Sequence, residues 1–203
     1  MSFTPLRRRD LLVQGGVGVA VLTGWSSCSP PAVLCPNPEG VCAETPSNSE
    51  GPYFREGAPE RTSLNVLERP GDPIRLVGRV LSSDCRSPIA GATLDIWHAD
   101  GDGVYDLDTQ HFGLRGRITT NDNGEFAVST IIPGMYWFGS MPRARHIHVR
   151  LAAPGHVALT TQLFFADDPW IHQDVQFTCG ALVNVEPELG GSVGRYDFMV
   201  RKG

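Results

Sequence analysis

From residue 74 to residue 200 the sequence is cut into short alternating runs by turns, and that rhythm constrains the fold more than any other feature. Arg75-Leu-Val-Gly-Arg-Val-Leu81 alternates and stops at Ser82-Ser-Asp84; Ala92-Thr-Leu-Asp-Ile-Trp97 runs into Asp100-Gly-Asp-Gly103. Leu114-Arg-Gly-Arg-Ile-Thr-Thr120 and Glu125-Phe-Ala-Val-Ser-Thr-Ile-Ile132 flank Asn121-Asp-Asn-Gly124, a hairpin signal that demands positive φ. Further strands are expected at residues 146–151, 160–165 and 194–200, and one short helical turn at residues 167–172. With 23 glycines and 16 prolines in 203 residues and few long periodic apolar stretches, the pattern predicts an all-β protein. The expected architecture is a single-domain antiparallel β-sandwich with long loops over residues 44–203.

A formal net charge of −5 argues against nucleic acid as the main partner. Arg7-Arg-Arg-Asp-Leu-Leu12 precedes an apolar, glycine-rich run to Trp25 that is short for a membrane span. Residues 1–28 therefore read as an export signal, of the twin-arginine kind or an ordinary secretory one. Ser26-Ser-Cys28 offers a site for a lipid on Cys28, and so membrane attachment, although Trp25 sits where leucine is usual; the alternative is cleavage and release. Residues 29–43 read as a proline-rich tether. If Cys28 carries lipid, Cys35, Cys42, Cys85 and Cys179 remain, an even count that suits an oxidising compartment and leaves three pairings open. Free buried thiols are the other reading.

The chemistry concentrates around Arg143-Ala-Arg-His-Ile-His148. Residues two apart on a strand share a face, so His146 and His148 can meet one metal ion. Two of the chain's four tyrosines, Tyr105 and Tyr136, sit beside turn signals upstream. Two phenolates, two neutral imidazoles and a hydroxide would balance ferric iron and leave room for substrate. Zinc sites use Cys, His and carboxylate instead, and ferrous oxygenases two histidines and a carboxylate. The aspartates of residues 100–108 suggest a calcium loop at first sight, but lack its terminal glutamate and flanking helices.

The order of these motifs resembles the intradiol ring-cleavage dioxygenases. The matching stretches are Gly51-Pro-Tyr53, Gly91-Ala-Thr-Leu-Asp-Ile-Trp-His-Ala-Asp100 before Tyr105, Leu114 to Asp122, Ile132-Pro-Gly-Met-Tyr136, Arg143-x-x-His146-x-His148 and Thr160-Thr-Gln162. The resemblance implies a non-heme Fe(III) cofactor held by Tyr105, Tyr136, His146 and His148. It also implies a catechol-type substrate cleaved with O2 between its two oxygen-bearing carbons to a cis,cis-muconate-type diacid. Tyr136 would yield its place to substrate and take a proton. Arg143 would stabilise negative charge on the ring, Gln162 would position that arginine, and Pro52 and Tyr53 would line the substrate pocket, with aromatic packing the other reading for Tyr53. Arg145 departs from the small or proline residue usual before the first histidine; strand alternation points it away from the site. His98 is expected either to contact substrate or to lie in the core or surface. The helical dimerisation region of the cytoplasmic relatives has no counterpart here, so the oligomeric state is not carried over. The turns also resemble transthyretin-like and carboxypeptidase-regulatory sandwiches. Such a non-catalytic binding module is the competing reading, but it has no need of His146, His148, Arg143 and Gln162 at these spacings.

Overall fold

A computed structural model describes residues 42–108 and 110–203. The expected export signal (1–28), the lipid on Cys28 and nearly all of the tether lie outside the described residues. The strands in chain order are β1 (Pro73–Ser82), β2 (Thr93–Trp97), β3 (Arg115–Thr119), β4 (Glu125–Ile131), β5 (Tyr136–Phe138) and β6 (Met141–Arg143). They continue with β7 (His146–Ala152), β8 (Leu159–Phe165), β9 (Leu182–Glu188), β10 (Gly191–Arg195) and β11 (Phe198–Val200). Helical structure among the described residues amounts to two 3-10 turns, Ile171–Gln173 and Cys179–Ala181.

Nine strands form one sheet in the order β11-β1-β10-β9-β8-β7-β2-β3, with β4 also paired to β1; β5 and β6 form a separate hairpin. The sheet is mixed rather than purely antiparallel. β1 runs parallel to both β10 and β11, and β8 runs parallel to β9. The reason lies in one long return and one tight hairpin: residues 166–181 carry the chain from β8 to β9, and the β9–β10 hairpin then delivers β10 alongside β1 in the same direction.

Side-chain alternation decides what faces the core. On β1 and β4, Ile74, Leu76, Val80, Phe126 and Val128 are buried in one cluster with Leu94 and Ile96 of β2. Ile147, Val149 and Leu151 of β7 and Leu163 and Phe165 of β8 join the same cluster. Each fully buried aliphatic side chain contributes about 1.5–3 kcal/mol, so this contiguous core is the main stabilising term. The other face of β2, β7 and β8 is thereby left for chemistry. Trp97 pairs with His148, and His148 pairs with Gln162, in one row across three strands.

The segment of residues 42–54 closes over that row. Thr45 N–H donates to Met199 O (2.9 Å) and Asn48 N–H to Thr160 O (2.8 Å). A disulfide joins Cys42 to Cys85, and Cys179 is disulfide-bonded as well.

Candidate metal centre

Two loops and one strand bring the donors together. The loop after β2 is organised by Asp100, whose Oδ1 accepts from Asp102 N–H (3.0 Å) and Val104 N–H (2.9 Å). Gly103 sits at φ +80°, and a Cβ there would lie 2.3 Å from Met135 O. Only glycine lets the Tyr105 loop approach the Tyr136 loop this closely. Strand β7 supplies His146 and His148.

The reactive atoms converge. Tyr105 Oη lies 3.3 Å from His146 Nε2 and 3.1 Å from His148 Nε2, and the two imidazole nitrogens are 3.2 Å apart. Tyr136 closes the fourth side, its ring 5.6 Å from that of Tyr105 and 5.7 Å from that of His146. His146 Nδ1–H donates to Ala144 O at 2.6 Å. That bond fixes the tautomer and leaves the Nε2 lone pair aimed at the cluster. His148 is stacked on Trp97, centroids 4.8 Å apart and 5° from parallel, and its buried Nδ1 has no partner among the described residues.

Protonation suits cation binding. Burial, then the charge of Arg143, lowers His146 to about 3; burial and His146 hold His148 well below its ordinary value. Both imidazoles are therefore neutral donors at any physiological pH. Burial, then neighbouring Tyr136, raises the Tyr105 phenol well above 10, and burial raises Tyr136 against the opposing pull of Arg143. Only a strongly charged cation would convert such phenols to phenolates. Donor separations near 3.2 Å match ligands about 2.1 Å from one centre. A central cation would meet the lone pairs of Tyr105, His146 and His148 at once, with the Tyr136 ring beside them, so the residues present fit ferric iron.

A second ring of polar groups surrounds the donors. Arg143 is 5% exposed. Its Nη1 donates to Tyr136 Oη (3.3 Å), its Nη2 to Gln162 Oε1 (2.6 Å), and its Nε to Asp174 (3.1 and 3.2 Å). Gln162 in turn donates from Nε2 to Ser49 O and Gln176 Oε1, both at 2.8 Å. Tyr53 stacks on Tyr105 at 4.1 Å, and its carbonyl accepts from the buried Arg115 (2.6 Å). Pro52 is exposed beside it.

Of the residues singled out from sequence, Tyr53, Tyr105, Tyr136, Arg143, His146, His148 and Gln162 come together. Arg145 turns away and pairs with Asp167 (2.9 Å) and Asp168 (3.2 Å). His98 is a buried core residue: Nδ1–H donates to Ala99 O, and Nε2 accepts from the Thr130 hydroxyl, both at 2.7 Å. Sequence reasoning missed Asp174 and Gln176, which hold Arg143 and Gln162, and the roles of Trp97 and Arg115. Trp97 lies at the end of a strand the sequence marked, which was the one available signal for its role; nothing in local sequence marked Asp174.

A family model described as dioxygenase matches residues 49–192. The chain is 32% identical over 181 residues to a chlorocatechol 1,2-dioxygenase of Rhodococcus opacus, covering 76% of this chain and 66% of the relative. It is 32% identical over 163 residues to a catechol 1,2-dioxygenase of Acinetobacter baylyi, covering 68% and 51%. The dioxygenase domain of a dioxygenase carbohydrate-binding protein fusion from Streptomyces sp. SirexAA-E superposes with a TM-score of 0.72 at 40% identity, over 79% of this chain and 100% of that one. A 3-chlorocatechol 1,2-dioxygenase structure from Rhodococcus opacus gives a TM-score of 0.72 at 28% identity, over 78% and 73%. An all-β sheet carrying a buried cluster of two tyrosines and two histidines defines the class of architecture. Within it, the chain belongs to the intradiol ring-cleavage dioxygenase family. It spans between half and two thirds of the length of these curated relatives.

Proposed function

We propose that this chain is a non-heme Fe(III) intradiol dioxygenase, which cleaves catechol-type diols with O2 to cis,cis-muconate-type diacids. The observation that carries this reading is the convergence of Tyr105, His146 and His148 to within 3.3 Å, with Tyr136 beside them. Tyr105, Tyr136, His146 and His148 would hold the iron. When bound, ferric iron supplies a Lewis acid for the diol oxygens and an electron acceptor for the ring.

The chain's own groups supply the rest. Tyr136 is the less buried of the two tyrosines, so its Oη is the place where a proton from the incoming diol is held. The Arg143 guanidinium sits in a dry setting and stabilises negative charge as it develops on the ring. Gln162 and Asp174 fix the plane of that guanidinium, so it need not reorganise during reaction. Tyr53 and Trp97 pack behind Tyr105 and His148 and keep water from the donors.

The two halves of the large sheet, β1 with its neighbours β4, β10 and β11, and β2-β3 with β7-β8, are read as the layers of a sandwich, a view supported by the core cluster to which β1, β4, β2, β7 and β8 all contribute. Export is proposed on the basic-then-apolar N-terminus, and the Cys42–Cys85 disulfide supports an oxidising destination. Lipid attachment at Cys28 remains part of that proposal, and palmitate labelling of wild type against Cys28→Ala tests it.

The function is tested by loading the purified chain with iron and measuring oxygen uptake with catechol. The expected result is a visible phenolate-to-iron charge-transfer band and oxygen consumed in equal amount to catechol. A colourless protein that prefers zinc and consumes no oxygen with any diol overturns the reading.

A further inference from the structure

The β5–β6 hairpin carries more than Tyr136 and Arg143. Those two residues are a cross-strand pair, and beyond the Trp137–Pro142 pair the next one on the same face is Phe138 with Met141. The loop between them is only Gly139-Ser140, with Gly139 at φ +62°, a two-residue turn that fixes the register. Residues two apart on a strand share a face. Phe138 therefore lies on the face of Tyr136, and Met141 on the face of Arg143. The 3.3 Å contact from Arg143 Nη1 to Tyr136 Oη identifies this face as the one turned to the donor cluster. Trp137 points the other way and meets Trp170 edge-on at 5.5 Å.

Phe138 is 49% exposed and Met141 41%. Two large apolar side chains held in water on a tight hairpin do little for the core. At about 3.3 Å per residue, they stand roughly one aromatic ring's width beyond the Tyr136–Arg143 pair. Residues 136–143 contain no acidic side chain, so this strip offers no carboxylate to a cationic group. A phenyl ring and a thioether offer a surface that suits an aromatic face or edge.

We propose that Phe138 and Met141 form an apolar subsite for a bulky substituent, such as a second aromatic ring, on the catechol held beside Tyr136 and Arg143. The proposal rests on the dioxygenase reading and narrows its substrate class to aryl- or alkenyl-substituted catechols.

The test compares catechol with 4-phenylcatechol in the wild type, Phe138→Ala/Met141→Ala, Phe138→Leu and Trp137→Ala. Turnover is read by oxygen uptake, and affinity for 4-phenylcatechol by anaerobic titration of the iron-loaded protein. In the double variant the ratio of kcat/KM values, phenylcatechol over catechol, falls about tenfold, through KM, with a matching loss of affinity. Phe138→Leu recovers part of that ratio, and Trp137→Ala keeps it within about twofold of wild type. An unchanged ratio and affinity in the double variant overturns the subsite, as does an equal fall in Trp137→Ala. Failure of the wild type to consume oxygen with either diol overturns the dioxygenase reading instead; the anaerobic affinities still decide the subsite.

Discussion

Asp174 grips Arg143 at Nε with both carboxylate oxygens, at 3.1 and 3.2 Å, and so leaves Nη1 for Tyr136 and Nη2 for Gln162. The same carboxylate accepts from Ala144 N–H at 2.9 Å, which ties the strand entering His146 to the arginine. Both side chains are buried, at 6% and 0% exposure. Removing one partner of a buried pair costs about 3–5 kcal/mol, because the other charge stays in place uncompensated. Asp174→Ala is expected to lose that much in denaturant unfolding. Asp174→Asn keeps the shape and lowers catechol turnover by about 10–100-fold, with iron content held. Wild-type turnover in Asp174→Asn would show that the arginine's orientation does not depend on this pair.

The four donors should divide into two kinds. Tyr105→Phe and His148→Ala remove groups from the buried triangle, so iron content itself collapses in metal analysis. Tyr136→Phe removes the more exposed donor, the one that already accepts from Arg143. That variant keeps most of its iron and loses turnover by more than about a hundredfold. Full iron content in His148→Ala would refute the proposed ligand set.

Acid should destabilise the fold through His98. Burial lowers this imidazole to about 4 from its ordinary value of 6.5. Above 6.5 it is neutral in both folded and unfolded chains. Below 6.5 the unfolded chain takes up a proton that the folded chain refuses, so stability falls until pH about 4. The slope is at most about 1.4 kcal/mol per pH unit for one such group. Urea unfolding at a series of pH values should show a shallower decline for His98→Gln than for the wild type. Equal slopes in the two proteins would contradict the assignment.

The Cys42–Cys85 disulfide closes a loop of sequence separation 43 and anchors the segment that supplies Ser49 to Gln162. In the chain-entropy account such a closure is worth up to about 4 kcal/mol. Cys42→Ser/Cys85→Ser is expected to lower the unfolding free energy by about 2–4 kcal/mol, read as a reduced denaturant midpoint. An unchanged midpoint would mean the segment is held by its backbone bonds alone.

Most of the strands that sequence made evident have one buried face. β1, β2 and β4 alternate because half of each strand packs into the core, whereas β7 and β8 are buried on nearly both faces and were marked by their composition instead. β9 was missed because nearly all of it is exposed and it contains Pro187, so no period marks it. β5 and β6 are three residues each, too short for any periodicity. The last strand was read as one run, whereas Tyr196 and Asp197 divide it; Tyr196 N–H bonds Val77 O, and Asp197 takes Arg79 N–H. Parallel pairing could not be seen either, since it depends on where the long connection of residues 166–181 returns the chain. At the site, the His-x-His spacing and both tyrosines were visible because metal donors need particular residue types. Asp174 was not, because a carboxylate that positions an arginine can come from any loop that reaches it, and here it lies 31 residues downstream of Arg143.

The central claim is that one iron ion sits among two phenol oxygens and two imidazole nitrogens. Diffraction from crystals of the iron-loaded chain at the iron absorption edge tests it most directly. A single strong anomalous peak bounded by Tyr105 Oη, Tyr136 Oη, His146 Nε2 and His148 Nε2 is the predicted result. An iron-loaded crystal whose anomalous peak lies elsewhere, with these four side chains bonded only to one another, would contradict it.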